Sequence, residues 1–340
     1  MATVLVTGAT GFIASHCIVK LLERGHTVRG TARSTSRRGA LNTLLSDYMD
    51  QPVEIPLVAA DLAKDAGWDE AVEGVDAVFH VASPIPENLP RDADELIKPA
   101  RDGALRVLKA AKEAGVNRVV MTSSVAAIAY GWGDARPDTL TEEHWSNPDN
   151  IKDNTAYTRS KTIAEKAAWD YAKGAGEGLQ LTTINPSAVL GPVMGGDFSA
   201  SLQIVTQIMQ GKLPAVPRVG FQIVDVRDVA EAHVLAWEND VSIGQRYVVA
   251  DDFMWFSEVA QLLKDAYPNH PKKIPTGELP NWLLKLMAPV NPPLKQIISE
   301  LGKRRFASSE KARTELGWNP ISAREATLAA ADSLVRHKVV

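Results

Sequence analysis

The chain has 340 residues, of which 45% are hydrophobic and 23% charged, and its formal net charge is −4. These values describe a globular protein with a substantial core, and the length predicts one large domain with a smaller appendage. They exclude a basic nucleic-acid binder, and no apolar run approaches the ~20 residues of a membrane span.

The N-terminus enters Thr3-Val4-Leu5-Val6-Thr7 directly, without a basic leader or cleavage pattern, so a cytoplasmic location is expected. The single cysteine, Cys17, cannot close an intramolecular disulfide and reads as a buried, inert thiol. In chain order, Val4–Thr7 predicts a strand, Ile13–Arg24 an amphipathic helix stopped by Gly25, and Thr27–Ala32 a second strand. Further strands are predicted over 53–59, 77–82, 118–122 and 179–184, with helices over 97–114 and 155–173. Alternating strands and helices imply right-handed crossovers and an α/β, Rossmann-type doubly wound parallel sheet. Beyond about residue 190, Gly191-Pro192, Gly195-Gly196 and frequent prolines break this rhythm. Residues 1–190 are therefore expected to form the main domain and 191–340 a smaller, irregular substrate lobe. Strands over 221–226 and 246–249 leave the boundary soft, since one of them can return to the main sheet.

The first chemical pattern is Thr7-Gly8-Ala9-Thr10-Gly11-Phe12-Ile13-Ala14, placed between a strand and a helix. Gly8 permits a tight turn, Gly11 lets a pyrophosphate approach the backbone, and Ala14 allows close helix–strand packing. The helix N-terminus offers free N–H groups and a positive dipole end. An NAD site usually carries an acid at the end of the second strand. This chain has Thr31-Ala32-Arg33-Ser34-Thr35-Ser36-Arg37-Arg38 instead, and Arg33 with Arg37 suits a 2′-phosphate, pointing to NADP(H). In Tyr157-x-x-x-Lys161 the two side chains share a helix face, so the ammonium is expected to lower the phenol pKa toward proton donation. The pattern follows Thr122-Ser123-Ser124, hydroxyls at the end of the fifth strand, where parallel sheets place their chemistry.

Taken in order with Phe79-His80-Val81-Ala82-Ser83-Pro84, Asn185-Pro186-Ser187-Ala188-Val189-Leu190-Gly191-Pro192, Val224-Asp225-Val226-Arg227-Asp228 and Glu315-Leu316-Gly317-Trp318, these residues resemble the extended short-chain dehydrogenase/reductases. More narrowly, they resemble the branch of dihydroflavonol 4-reductases, cinnamoyl-CoA reductases and methylglyoxal/isovaleraldehyde-type reductases. The resemblance implies Tyr157 as general acid and Lys161 as the ligand of the nicotinamide ribose. It implies Ser124 as the donor to the substrate oxygen, with adjacent Ser123 as the alternative. It further places Asp61 and Leu62 on the adenine side, Ala82 and Ser83 behind the fourth strand, and Pro186 and Val189 beside the nicotinamide. Ala129 stands where plant flavonoid reductases carry an asparagine, which argues against a dihydroflavonol substrate.

The resulting expectation is NADPH-dependent reduction of a small neutral carbonyl to an alcohol, by a monomer or a homodimer paired through the helices over 97–114 and 155–173. An NAD-dependent sugar-nucleotide epimerase or dehydratase and a non-catalytic NADP sensor are the alternatives. The basic Arg33/Arg37 loop disfavours the first, and retention of Tyr157 and Lys161 the second. The seven histidines show no metal-ligand spacing, and His80 and His233 read as structural. Lys303-Arg304-Arg305 reads as a solvated face, while Trp132, Trp145, Met194 and Phe198 are candidates for an apolar substrate pocket.

Overall fold

Short buried apolar runs alternate with amphipathic stretches, and each pair folds as a strand and its crossover helix. The computed structural model describes residues 1–84, 92–195, 202–212, 214–288 and 297–340. The first part of the chain contains β1 (Thr3–Val6), α1 (Phe12–Glu23), β2 (Thr27–Ala32), α2 (Arg38–Met49), β3 (Leu57–Ala59) and α3 (Trp68–Val72). It continues with β4 (Ala77–His80), α4 (Asp94–Glu113), β5 (Arg118–Thr122), α5 (Ala156–Lys173) and β6 (Gln180–Pro186). The remainder contains β7 (Ala188–Leu190), α6 (Leu202–Met209), β8 (Val216–Pro217), β9 (Gly220–Asp225), α7 (Val226–Glu238) and β10 (Arg246–Val249). It closes with β11 (Phe253–Trp255), α8 (Phe256–Ala266), β12 (Glu278–Leu279), α9 (Asn281–Met287), α10 (Glu310–Leu316) and α11 (Ala323–Arg336).

Seven strands form one sheet in the order β10-β6-β5-β4-β1-β2-β3, with every neighbouring pair parallel. On one face α1, α2 and α7 bury Cys17, Leu21, Leu45 and Val229 against Val4, Phe79 and Val120. On the other, α3, α4 and α5 bury Trp68, Val107, Leu108 and Trp169 against Leu5, Val78 and Val119. This is the doubly wound arrangement, and β1 with β4 marks the point where the winding reverses. The outward face of α4 carries exposed Glu95, Lys98, Arg101 and Lys109. A three-stranded sheet, β11-β9-β7, and the β8–β12 pair lie outside the main sheet. Beside them, α6, α8 and α11 enclose a further apolar core that includes Leu202, Val205, Leu263, Ala330 and Leu334.

Of the two late strands, Arg246–Val249 joins the main sheet beside β6, whereas the strand over 220–225 pairs with β7 and β11 instead. The strand predicted over 53–59 shortens to Leu57–Ala59. Val53 N–H donates to Ser46 Oγ at 2.8 Å and Ile55 N–H to Asn42 Oδ1 at 3.3 Å, so side chains of α2 take donors that a longer strand would have paired. The fourth strand stops at His80, because Ala82 N–H turns to the Thr7 hydroxyl at 3.0 Å. No helix of the described residues is long and apolar enough to cross a membrane.

Candidate active site

Sequence dictates the site's first element through a turn only glycine makes easily. Gly8 has φ +65°, and a Cβ there would stand 3.0 Å from Ala82 Cβ. Gly11 N–H closes the turn onto Gly8 O at 2.8 Å, and Gly11 caps α1 without a side-chain acceptor. The first-turn N–H groups, from Phe12 and Ile13 onward, are therefore left for an anion. Around this turn, Thr10, Phe12, Ile13, Asp61, Leu62, Ala82 and Ser83 are all half-buried, at or beyond the C-terminal ends of β1, β3 and β4. Asp61 Oδ1 accepts Ala63 N–H at 2.9 Å, and Leu62 packs against Gly103 of α4. Arg33 and Arg37 are exposed beyond β2, with Arg37 Nη1 3.5 Å from Thr10 Oγ1. Pro186, at the end of β6, and Val189, in β7, are buried, and between them the Ser187 hydroxyl oxygen is buried with no hydrogen-bond partner among the described residues. A glycine cradle, an uncapped helix end, two arginines and an orphaned hydroxyl fit a phosphorylated dinucleotide.

The second element is the polar group at the ends of β5 and β6. A reciprocal Thr155/Thr158 capping box starts α5, which sets Tyr157 and Lys161 one turn apart. The Ser124 hydroxyl acts on the Tyr157 phenol, favouring its charged form, and Lys161 Nζ lies 5.9 Å from the Tyr157 ring centre. Ser124 Oγ also accepts Ala126 N–H at 3.1 Å and donates to Pro186 O at 3.4 Å. Ser123 faces elsewhere. Its hydroxyl donates to the buried Glu165 carboxylate, so of the two adjacent serines only Ser124 reaches the tyrosine.

Tyr157 is 43% exposed, yet burial by the surrounding protein raises its phenol above the ordinary value, with the Ser124 hydroxyl opposing. The expected lowering of the phenol by Lys161 is therefore absent from this structure. Burial weakens that cation itself, pulling the ammonium down to about 8 against the opposing charge of Glu165. Behind Lys161, burial and then the Lys161 charge push His80 down to about 3, leaving a neutral imidazole whose Nδ1 meets Thr7 Oγ1 at 3.0 Å. His233 is also neutral, pushed down to about 4 by burial. Its Nδ1 donates to Val229 O at 2.7 Å, so Nε2 accepts from Thr122 Oγ1, also at 2.7 Å. Burial raises the Cys17 thiol far above its usual range.

Several expectations change. Lys303-Arg304-Arg305 is not a uniformly solvated face. Arg305 is buried, its Nη2 2.7 Å from Asp153 Oδ1 and its Nε 3.0 Å from Glu300 Oε2, because acids from two segments converge on it. Lys303 Nζ joins Asp153 at 2.6 Å. Trp132 and Trp145 act as packing groups: Trp132 Nε1 donates to Ile128 O at 2.8 Å, and Trp145 stacks under Arg246 with 3.7 Å from guanidinium to ring centre. Met194 packs against the main core, and Phe198 lies outside the described residues. Sequence reading missed Ser187, Asn185 and Glu165. Glu165 stands four residues after Lys161, a spacing that could have flagged it.

The sheet, the glycine turn and the serine–tyrosine–lysine group together define the extended short-chain dehydrogenase/reductase class. The model of the NAD dependent epimerase/dehydratase family matches residues 4–250, and the chain belongs to that family. It is 36% identical over 277 residues to tetraketide alpha-pyrone reductase 2 of Arabidopsis thaliana, covering 80% of this chain and 84% of that one. It is 34% identical over 322 residues to cinnamoyl-CoA reductase CAD2 of Medicago truncatula, covering 90% and 97%. Among solved structures, yeast methylglyoxal/isovaleraldehyde reductase Gre2 complexed with NADPH superposes with a TM-score of 0.79 at 26% identity, covering 99% of this chain and 100% of the other.

Proposed function

We propose that the protein is an NADPH-dependent reductase of small neutral aldehydes and ketones. The observation that carries this reading is the convergence of Ser124, Tyr157 and Lys161 at the C-terminal edge of the parallel sheet that also bears the glycine turn. Residues 1–190 with β10 serve the cofactor, and 191–340 mainly the substrate. Gly8, Thr10, Gly11, Phe12 and Ile13 would hold the pyrophosphate, Arg33 and Arg37 the 2′-phosphate. Asp61 and Leu62 would border the adenine, Ala82 and Ser83 the middle of the cofactor, and Pro186 and Val189 the nicotinamide. Bound NADPH supplies the hydride. Tyr157 gives its phenolic proton to the carbonyl oxygen, which becomes the alcohol hydroxyl. Ser124 donates a hydrogen bond to that oxygen as negative charge develops on it. Lys161 would bind the ribose hydroxyls.

Charge bookkeeping supports a neutral substrate. Two buried arginines of the surrounding elements, Arg246 and Arg305, are committed to Glu165 and to Asp153 with Glu300. Neither is free to clamp a carboxylate or diphosphate. The reading is tested by following NADPH absorbance with isovaleraldehyde, methylglyoxal, cinnamaldehyde, a 2-keto acid and a nucleotide sugar, each repeated with NADH. Neutral carbonyls are expected to be turned over fastest, with kcat/KM about ten- to hundredfold higher for NADPH than NADH. A nucleotide sugar or 2-keto acid outpacing every neutral carbonyl, or equal use of both cofactors, overturns it.

A further inference from the structure

One helical turn beyond Lys161, the Glu165 side chain is completely buried at the centre of a cluster of donors. A carboxylate so placed is costly unless its oxygens are satisfied. Here they are, and the two oxygens serve different parts of the molecule. Oε1 accepts Arg246 Nε at 2.6 Å, Thr183 Oγ1 at 3.1 Å and Trp169 Nε1 at 3.4 Å, all groups of the scaffold. Oε2 accepts the Ser123 hydroxyl and Asn185 Nδ2, the latter at 2.7 Å. Asn185 Nδ2 also donates to the main-chain oxygen of Ser124 at 3.2 Å. The segment bearing the Ser124 hydroxyl is thus tied to Glu165 twice, through Ser123 and through Asn185.

We propose that Glu165 is a positioning residue, whose Oε2 fixes the Ser123-Ser124 segment so that the Ser124 hydroxyl meets Tyr157. An ion pair that served folding alone would be complete on the Oε1 side, where Arg246 stacks on Trp145 and donates to His144 O at 2.9 Å. The second oxygen points at the strand end that the reaction uses. The same carboxylate also opposes the burial that weakens the Lys161 ammonium. The inference rests on the reading of Ser124, Tyr157 and Lys161 given above.

Glu165→Gln keeps size but turns one acceptor into an NH2 group, and donors face it on either side. The probe is the fastest neutral aldehyde of the panel, assayed with saturating NADPH, and NADPH affinity is measured separately by its fluorescence. The expected result is a kcat lower by roughly tenfold or more, the scale of a displaced oxyanion donor, with KM and Kd for NADPH within about twofold of wild type. Ser123→Ala deletes one tie on the Oε2 side, and Trp169→Phe deletes a donor on the Oε1 side. Ser123→Ala should lower kcat several-fold, while Trp169→Phe lowers Tm and leaves kcat within about twofold. This pair decides the matter even where Glu165→Gln does not fold. A folded Glu165→Gln enzyme with wild-type kcat, a parallel loss of NADPH affinity, or equal kcat losses in Ser123→Ala and Trp169→Phe overturns the positioning role. Ser124→Ala and Tyr157→Phe run alongside: if they keep more than half of the turnover the underlying reductase reading falls, whereas if they collapse and Glu165→Gln does not, only the role of Glu165 falls.

Discussion

Tyr157 and Lys161 stand one turn apart, and burial disfavours the charged form of both, raising the phenol and lowering the ammonium. Tyr157→Phe deletes the phenolic hydrogen of the proposed acid and leaves the ring in place. Its kcat should fall by roughly 100-fold or more with NADPH binding retained, measured by steady-state turnover and NADPH fluorescence. Ser124→Ala should cost about 100-fold in kcat, clearly more than Ser123→Ala, because only Ser124 acts on the Tyr157 phenol, whereas Ser123 is committed to Glu165. The reverse ordering assigns the role to the other hydroxyl. Arg33 is exposed, so solvent screens part of its effect. Arg33→Ala should still raise KM for NADPH about tenfold while NADH kinetics stay flat. The Tyr157/Lys161 pair was legible in the sequence because a spacing of four fixes a shared helix face. The choice between Ser123 and Ser124 was not, since adjacent hydroxyls differ only in which tertiary partner they meet. Glu165 escaped for the same reason: its partners come from β6, β10 and the end of β5.

Among the elements, the glycine turn before α1 offers a controlled comparison. Gly8 and Gly25 both have positive φ, +65° and +76°, but a Cβ at Gly25 meets nothing within 4 Å. Alanine at either position should cost about 1–2 kcal/mol of backbone strain, seen as a lower Tm. Only Gly8→Ala should also weaken NADPH, through the contact at Ala82 and the displaced turn. Equal NADPH affinity in the two variants removes Gly8 from the cofactor site. Elements with strong periodicity were readable to within a few residues: β2 and β5 match their predicted limits, and α1 is displaced by one residue at each end. The strand over 53–59 was over-read, because an apolar run cannot reveal that Ser46 and Asn42 of α2 will take its backbone donors. The strand over 220–225 was readable as a strand but not as a member of the second sheet, since pairing partners are set by the path of the whole chain.

Across the molecule, Arg305 joins the C-terminal region to Asp153, which lies just ahead of α5, and to Ala129 O at 2.8 Å. For Asp153, burial raises the carboxyl, but hydrogen bonds and charge from Arg305 and Lys303 win and hold it at about 2, below its ordinary 3.8. A lowered folded pKa gives stability that is present above about pH 4 and lost as pH falls toward 2. Roughly 1–2 kcal/mol should disappear across that window after allowance for screening. Denaturant melts of wild type and Asp153→Asn at pH 6 and pH 3 test this: the gap between the two proteins should narrow at the lower pH, and a constant gap removes Asp153 from the acid response. The sequence Lys303-Arg304-Arg305 gave no sign of this clamp. A basic run looks solvated until the acids that bury one of its members are known, and these come from residues 153 and 300.

The position of β10 has a consequence for how the chain is made. β6 is the last strand of the first half, and among the described residues its outer edge is covered by residues 244–249, which come from the second half. While the ribosome is still adding the sixty or so residues between them, the nascent sheet ends in an unpaired strand whose side chains from Leu181 to Pro186 are destined for burial. Such an edge invites pairing with another chain. A product terminated near residue 190 would keep that edge for good, so the N-terminal half should be recovered as aggregate rather than as an isolated nucleotide-binding unit. On that outcome the two halves form a single unit of synthesis and quality control.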